Sequence, residues 1–206
     1  VSLTEDLRTA ICDAAVKLMK NVNYVNAGTV EFLVADNEFF FIEVNPRVQV
    51  EHTVTEMITG IDIVQQQLKI ASGEPLPFKQ EDIQLNGWSI ECRINAENAY
   101  NNFMPSAGTV QGYLAPGGYG VRVDSAVYPG YTIPPFYDSM VAKLIVHADT
   151  REEAIAKMKR ALGEFVVEGV HTTIPFHLAL MDNEVFKSAQ FNTKFLEEND
   201  VLNTKK

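Results

Sequence analysis

The chain has 206 residues, of which 46% are hydrophobic and 21% charged, and it carries a formal net charge of −10. That is ample apolar material for one large domain or two small ones, and the composition excludes wholesale disorder. The acidic balance argues against a partner such as nucleic acid, whose binders are usually basic, but leaves room for a small anionic substrate held by a local guanidinium or metal. Ser2 and Glu5 have capping-box spacing, and Leu7, Ala10, Ile11, Ala14, Ala15 and Leu18 recur at helical intervals, predicting an amphipathic helix over about residues 4–20. Two strand-like runs, 29–34 and 39–44, flank a turn by composition at Ala35, Asp36, Asn37 and Glu38. From 43 to 51 the odd positions Glu43, Asn45, Arg47, Gln49 and Glu51 are polar. The even positions Ile42, Val44, Val48 and Val50 are aliphatic, with Pro46 among them, so the pattern predicts extended chain with one apolar face.

Thr53 and Glu56 repeat the capping-box spacing and predict a helix broken at Gly60. Asp62 caps a second helix through Ile63, Val64, Leu68 and Ile70, ending at Gly73. Residues 74–86, with Pro75 and Pro77, read as a linker, which places a domain boundary between 74 and 87. Beyond it, strands are expected over 88–94, 108–114, 121–124 and 140–147, separated by Gly, Pro and Asn turns. Thr150 and Glu153 cap a helix carrying Ala154, Ile155, Met158, Ala161, Leu162 and Phe165, and a further helix is expected over 174–181. The fold class is α+β, with no internal repeat.

The two cysteines, Cys12 and Cys92, fit no metal spacing and are too few for a disulfide scaffold, which favours a reducing, cytoplasmic setting. No apolar run reaches bilayer length, so no membrane partner and no signal peptide are expected. The chain opens at VSLTEDL without a methionine, and a processed chain or a piece of something longer is expected.

Chemistry concentrates around the opening hairpin. With a three-residue loop at 36–38, Ala35 faces Phe39 and Glu31 falls opposite Glu43, about 5 Å apart at Cβ. A slip of one residue would send the two glutamates to opposite faces. Paired carboxylates call for something positive between them, and Asn45 adds a neutral oxygen on the same side. That set suits Mg²⁺ or Mn²⁺, which completes its sphere with water and substrate phosphates. The competing reading is two solvated glutamates on a half-buried hairpin. Phe39, Phe40, Phe41 and Ile42 weigh against it, because they suggest a strand buried on both faces, where an unpaired glutamate is costly.

Arg47 offers a planar fork for a carbonate-like anion, and Glu51 a base for a weakly acidic oxyacid; an Arg47–Glu51 surface ion pair is the alternative. Arg93 shares a strand face with Ser89 and Glu91, opposite Trp88, Ile90, Cys92 and Ile94, and taken alone the Glu91–Arg93 pair reads as a solvated edge. His171 and His177 lack metal-site spacing, Gly117 to Gly120 reads as a turn, and Tyr137, Asp138 and Ser139 are either buried polar structure or a site. His52 is as readily a helix-start residue as a ligand.

The motifs FIEVNPRVQVEHTVTEMITG, ECRINAEN, FMPSAGTV, APGGYGVR and PPFYDSMVAKLI together closely resemble the biotin carboxylase family of ATP-grasp enzymes. That family occurs as a subunit of bacterial acetyl-CoA carboxylase and as a domain of pyruvate and propionyl-CoA carboxylases. EFVVEGVHTTIPFH and FNTKFLEE look most like the free-standing form found in acetyl-CoA carboxylase. The resemblance implies the carboxy-terminal part of an ATP-grasp core, an antiparallel sheet plus helices, over residues 1–78. A β-rich biotin carboxylase C-terminal domain would follow over 86–198. It implies that Glu31, Glu43 and Asn45 hold the metal ions bridging the ATP phosphates, with Leu33, Ile42 and Thr193 near the adenine.

By the same resemblance Arg47, Gln49 and the backbone of Val50 match the bicarbonate site, Glu51 the base, and Arg93 the residue that stabilises the biotin enolate. Tyr119 and Arg122 match a homodimer contact. ATP, Mg²⁺ or Mn²⁺ and carrier-bound biotin are the implied cofactors and substrates. A biotin carboxyl carrier protein and a carboxyltransferase are the implied partners. The family's amino-terminal half, with its glycine-rich lid and phosphate-gripping lysines, has no counterpart here, so the isolated chain is expected to lack useful turnover. A non-catalytic dimerisation module is the competing class, and the final acyl acceptor is not written in the motifs.

Overall fold

The computed structural model describes residues 3–202, and the chain divides into two compact units, Val1–Gln84 and Leu85–Lys206. Helix α1 (Glu5–Asn21) is capped by Thr4, whose Oγ1 accepts the Leu7 N–H at 3.3 Å. The expected cap at Ser2 lies outside the described residues. Strands β1 (Thr29–Ala35) and β2 (Glu38–Asn45) form an antiparallel hairpin.

Its turn has two residues rather than three. Asp36 and Asn37 adopt φ of 51° and 63°, and Ala35 pairs with Glu38. Two successive left-handed residues make the tight turn whose twist matches a hairpin, and Asp and Asn tolerate that conformation. With that loop alone, Glu31 would face Ile42. The register shifts between Glu31 and Phe32, so Phe32 pairs with Phe41 while Glu31 pairs with Glu43, leaving Ile42 as the extra residue of a bulge. The shorter turn and the bulge cancel, and the two glutamates end opposite each other.

The extended pattern expected through residue 51 stops at Asn45. Pro46 has no N–H for a ladder, and the Arg47 N–H folds back to the Asn45 carbonyl at 2.8 Å. The chain then winds through a loop into α2 (His52–Thr59), ended by Gly60 at φ 72°. Asp62 caps α3 (Ile63–Ala71), its Oδ1 accepting the Gln65 N–H at 2.7 Å.

The Thr53–Glu56 capping box does not form. Both residues are buried, and Glu56 Oε1 accepts the Ile63 N–H at 2.8 Å, where a carboxylate meets the positive end of α3. Nor is β2 buried on both faces. Phe40, Phe41 and Ile42 are 53%, 56% and 55% exposed on a hairpin that pairs with no further strand among the described residues.

The second unit is built on an antiparallel sheet of β3 (Trp88–Asn95), β10 (Met140–Ala148) and β8 (Val121–Asp124), in that spatial order. Around it lie the short pairs β4 (Glu97–Asn98) with β5 (Met104–Pro105), and β6 (Gly108–Thr109) with β9 (Thr132–Ile133). A further short pair joins β7 (Gly112–Leu114) to β11 (Val166–Glu168). The run expected as one strand over 108–114 is thus two, because the chain changes partners in its middle. Val110 bonds through N–H and C=O to the 130–131 turn, whereas Gln111 donates to Glu168.

Helix α4 (Arg151–Glu164) starts at Thr150, as its capping spacing predicts, and lays Ala154, Ile155, Met158, Ala161 and Leu162 on the sheet. They meet Cys92 and Ile94 of β3 and Ala142, Leu144 and Val146 of β10, whose alternate positions point to the helix layer. Helices α5 (Ile174–Asp182), α6 (Glu184–Ser188) and α7 (Phe195–Glu198) close the chain. Gly120, at φ 72°, packs where an added Cβ would lie 2.5 Å from the His147 carbonyl, so the 117–120 stretch is a turn that only glycine completes. The mixed helix and antiparallel sheet agree with the α+β expectation.

Candidate functional site

Five polar side chains of the first unit, Glu31, Glu43, Asn45, Arg47 and Gln49, gather at the open end of the hairpin. Asn45 Nδ2 donates to Glu31 Oε1 at 2.9 Å and to Glu43 Oε1 at 3.1 Å, so both carboxylates aim at one donor. Gln49 Nε2 adds a second donor to Glu31 Oε1 at 2.9 Å. Arg47 donates through Nη2 to Asn45 Oδ1 at 3.3 Å and through Nη1 to the Val48 carbonyl at 3.2 Å. Alternation along an extended strand does not bring these groups together. The hairpin register supplies the glutamates, and the loop after Pro46 folds Gln49 back onto Glu31 and Arg47 back onto Asn45.

Glu51 is the N-cap residue just before α2, and its carbonyl accepts the Val54 N–H at 3.1 Å. Val50 precedes it in the same turn. His52, the first residue of α2, puts Nδ1 2.7 Å from the Gln49 carbonyl; a carbonyl only accepts, so the ring donates there through Nδ1–H. His52 therefore ties down the loop at the helix start. Leu33 lies two residues along from Glu31 and pairs with Phe40, which sets two half-exposed apolar side chains beside the carboxylates. Ile42 occupies the bulge next to Glu43.

The donor set fits a hard divalent cation. Two carboxylate oxygens already reach a common point and both are hard ligands, but Asn45 presents its Nδ2 to them and turns the oxygen expected as a third ligand to Arg47, so an amide flip is needed before it could join them. Among the described residues no group of three or more His, Cys, Asp or Glu could hold a metal ion.

The other expected residues lie in the second unit. Arg93 stands on β3 with its side chain 51% exposed, its Nε 3.9 Å from Glu91 Oε1 and its cross-strand neighbour Lys143. Its carbonyl accepts from Thr173 Oγ1 and from His177 Nε2, each at 3.0 Å. Local spacing held no signal for these two residues, because some eighty positions separate them from Arg93. Thr193 is exposed in the turn before α7. Tyr119 is 95% exposed beneath the Lys157 ammonium, and Arg122 makes a two-toothed bond to Asp124 at 2.7 and 2.8 Å. Ser139 donates to Glu97 and Asp138 accepts from the Met140 N–H, but Tyr137 is 86% exposed and Asp138 is exposed too, so this stretch is not the buried polar structure that one reading expected. Burial raises the Cys92 thiol to about 12, with the Glu91 charge adding to it, which leaves no thiolate at neutral pH.

Two family models match the chain. Residues 1–79 match the carbamoyl-phosphate synthase L chain ATP-binding domain, and residues 91–198 match the biotin carboxylase C-terminal domain. Biotin carboxylase 1 of Bacillus subtilis is 60% identical over 203 residues, covering 98% of this chain and 45% of that protein. A pyruvate carboxylase subunit of Methanothermobacter thermautotrophicus is 55% identical over 196 residues, covering 95% of this chain and 40% of that protein. The chain therefore spans less than half the length of these relatives. Among solved structures, the biotin carboxylase domain dimer of Hydrogenobacter thermophilus 2-oxoglutarate carboxylase, in complex with MgADP, ADP and bicarbonate, superposes with a TM-score of 0.94. It is 47% identical, and the match covers 99% of this chain and 46% of that one. The C-terminal-domain model takes in more than half of the residues, and the chain belongs to the biotin carboxylase family.

Proposed function

We propose that these residues are the carboxy-terminal part of an enzyme that uses ATP and bicarbonate to carboxylate biotin on a carrier protein. The observation that carries the reading is the convergence of Glu31 and Glu43 on one point, with Asn45, Arg47 and Gln49 gathered beside it. Glu31, Glu43 and Asn45 would hold Mg²⁺ or Mn²⁺, which when bound neutralises the charge of the ATP phosphates. Leu33 and Ile42, with Thr193, serve the adenine.

Arg47, Gln49 and the Val50 backbone hold bicarbonate, and Glu51 takes its proton. The freed oxygen attacks the γ-phosphorus and ADP leaves, giving carboxyphosphate. Cleavage of its C–O bond releases CO₂ and phosphate, the phosphate takes the ureido N–H proton of biotin, and Arg93 stabilises the negative oxygen of the resulting enolate while its nitrogen attacks CO₂. Residues 1–78 and 86–198 are the two working domains in this reading. The second forms a homodimer through Tyr119 and Arg122, which the exposure of Tyr119 supports. The partners are a biotin carboxyl carrier protein and a carboxyltransferase, in the cytoplasm.

The proposed final acceptor is acetyl-CoA, for fatty acid synthesis. A second reading, with pyruvate as acceptor, is favoured by the 55% identity to a protein of pyruvate carboxylase. Carboxyl transfer from the carboxylated carrier to each acceptor, with the native transferase, separates them. The first test is phosphate release by the intact protein, which should require both ATP and bicarbonate and yield carboxybiotin. ATP cleavage indifferent to bicarbonate would overturn the reading. Residues 1–206 alone should show no turnover, since phosphoryl transfer depends on a complete phosphate clamp.

A further inference from the structure

Arg93 stands on a strand with one side uncovered by any other strand, because the sheet order is β3, β10, β8. Edge strands present unpaired N–H and C=O groups and need some other closure. Here the start of α5 supplies it. The Thr173 N–H donates to the Asn95 carbonyl, the Asn95 N–H donates to Thr173 Oγ1, and the Thr173 hydroxyl donates to the Arg93 carbonyl, all at 3.0 Å. One threonine, 5% exposed, thus takes the place of a missing strand.

His177, one helical turn on, places Nε2 3.0 Å from the same Arg93 carbonyl. Since a carbonyl only accepts, the ring is the Nε2–H tautomer, and both lone pairs of that oxygen are engaged. Burial pushes His177 below its ordinary value, against the opposing pull of this hydrogen bond, which keeps the ring neutral near pH 7. The inner edge at the same height is irregular. β10 pairs Met140 with Asn95 and Ala142 with Ile94, leaving Val141 out of the register. The backbone at residues 93–95 is therefore held against a bulge on one side and by α5 on the other.

We propose that Thr173 and His177 are positioning residues for Arg93, fixing the backbone from which its guanidinium meets the biotin oxygen. The inference rests on the role given to Arg93 above. It predicts a selective defect, because Arg93 serves carboxyl transfer to biotin and takes no part in the bicarbonate-dependent cleavage of ATP. A threonine and a histidine that merely stabilised the domain would affect both stages alike.

The test uses the intact enzyme and measures the two stages separately, as phosphate release with ATP and bicarbonate alone and as carboxybiotin formation with biotin added. Thr173→Val and His177→Leu remove the donors, whereas Thr173→Ser and His177→Gln keep one. Displacement of a positioned group by a fraction of an ångström to an ångström predicts a loss of about ten- to a hundredfold in carboxybiotin formation for the first pair. Their bicarbonate-dependent ATP cleavage should stay within about twofold of wild type, and the second pair should recover most of the lost rate.

Equal losses in both stages, no loss in either, or no recovery in the donor-keeping variants would overturn the inference. Wild-type enzyme without bicarbonate-dependent ATP cleavage would instead overturn the functional reading. An Arg93→Met enzyme that carboxylates biotin normally would remove the role of Arg93 and the clasp with it.

Discussion

The two units solve the problem of holding chemical groups in place by different means. In the second, β3, β10 and α4 bury a continuous apolar cluster, and Ile94, Leu144, Met158 and Leu162 are fully enclosed. In the first, Leu7 is the only buried hydrophobic side chain among the described residues, and the others buried there are Thr53 and Glu56. Its order comes from a strand register, a proline-ended strand, helix caps and a polar network around Glu31. Packing tolerates surface change and punishes cavities, whereas a hydrogen-bonded register punishes the loss of a single polar group.

Substitutions should therefore separate the two devices, with activity lost from the polar network of the first unit and stability from the apolar cluster of the second. The largest effect is expected from Glu51→Gln in the intact enzyme. Removing the base should lower the rate of carboxybiotin formation by about a hundred- to ten-thousandfold while leaving the thermal midpoint unchanged. A fall in both would mean that Glu51 holds the fold instead. Next comes Leu144→Ala, which opens a cavity beside α4 and should lower stability by about 2–5 kcal/mol in denaturant titration.

Phe40→Ala sharpens the contrast. A phenylalanine 53% exposed on a two-stranded hairpin should cost less than about 1 kcal/mol in this chain. A cost equal to that of Leu144→Ala would show that the first unit has a core of its own. The smallest effect concerns pH. His177 titrates below its ordinary value of 6.5, so between that lowered value and 6.5 the unfolded chain binds more protons than the folded one. Stability of the second unit should fall as pH drops below about 6.5, and His177→Gln should flatten that part of the profile; parallel profiles for the two proteins would reject the assignment.

The elements that could be read in advance were those fixed by local periodicity and capping. α1, α3 and α4 lie where their apolar spacing and caps at Asp62 and Thr150 placed them, and β3, β8 and β10 follow their alternation. The pairs β4–β5, β6–β9 and β7–β11 were not legible as such, because segments of two or three residues carry no period. The Thr53–Glu56 spacing misled for a physical reason. A carboxylate one turn into a helix can turn outward to a cap or inward to another helix, and the partner at Ile63 decides.

The candidate site shows the same division. That Glu31 and Glu43 belong together followed from strand alternation around a short turn, and the pairing holds although the route to it is different. The two-residue turn and the bulge at Ile42 each shift the register by one, in opposite senses, and no local rule weighs those two shifts together. Residue order determined the helices, the strands, the polar composition of the hairpin end and the family motifs, because these depend on neighbours a few positions apart. Tertiary structure alone decided that Gln49 folds back to Glu31, that Glu56 serves α3, and that Thr173 and His177 close the edge beside Arg93. Those contacts join groups in different elements, from 7 to 84 positions apart, and only the folded chain brings them within hydrogen-bonding distance.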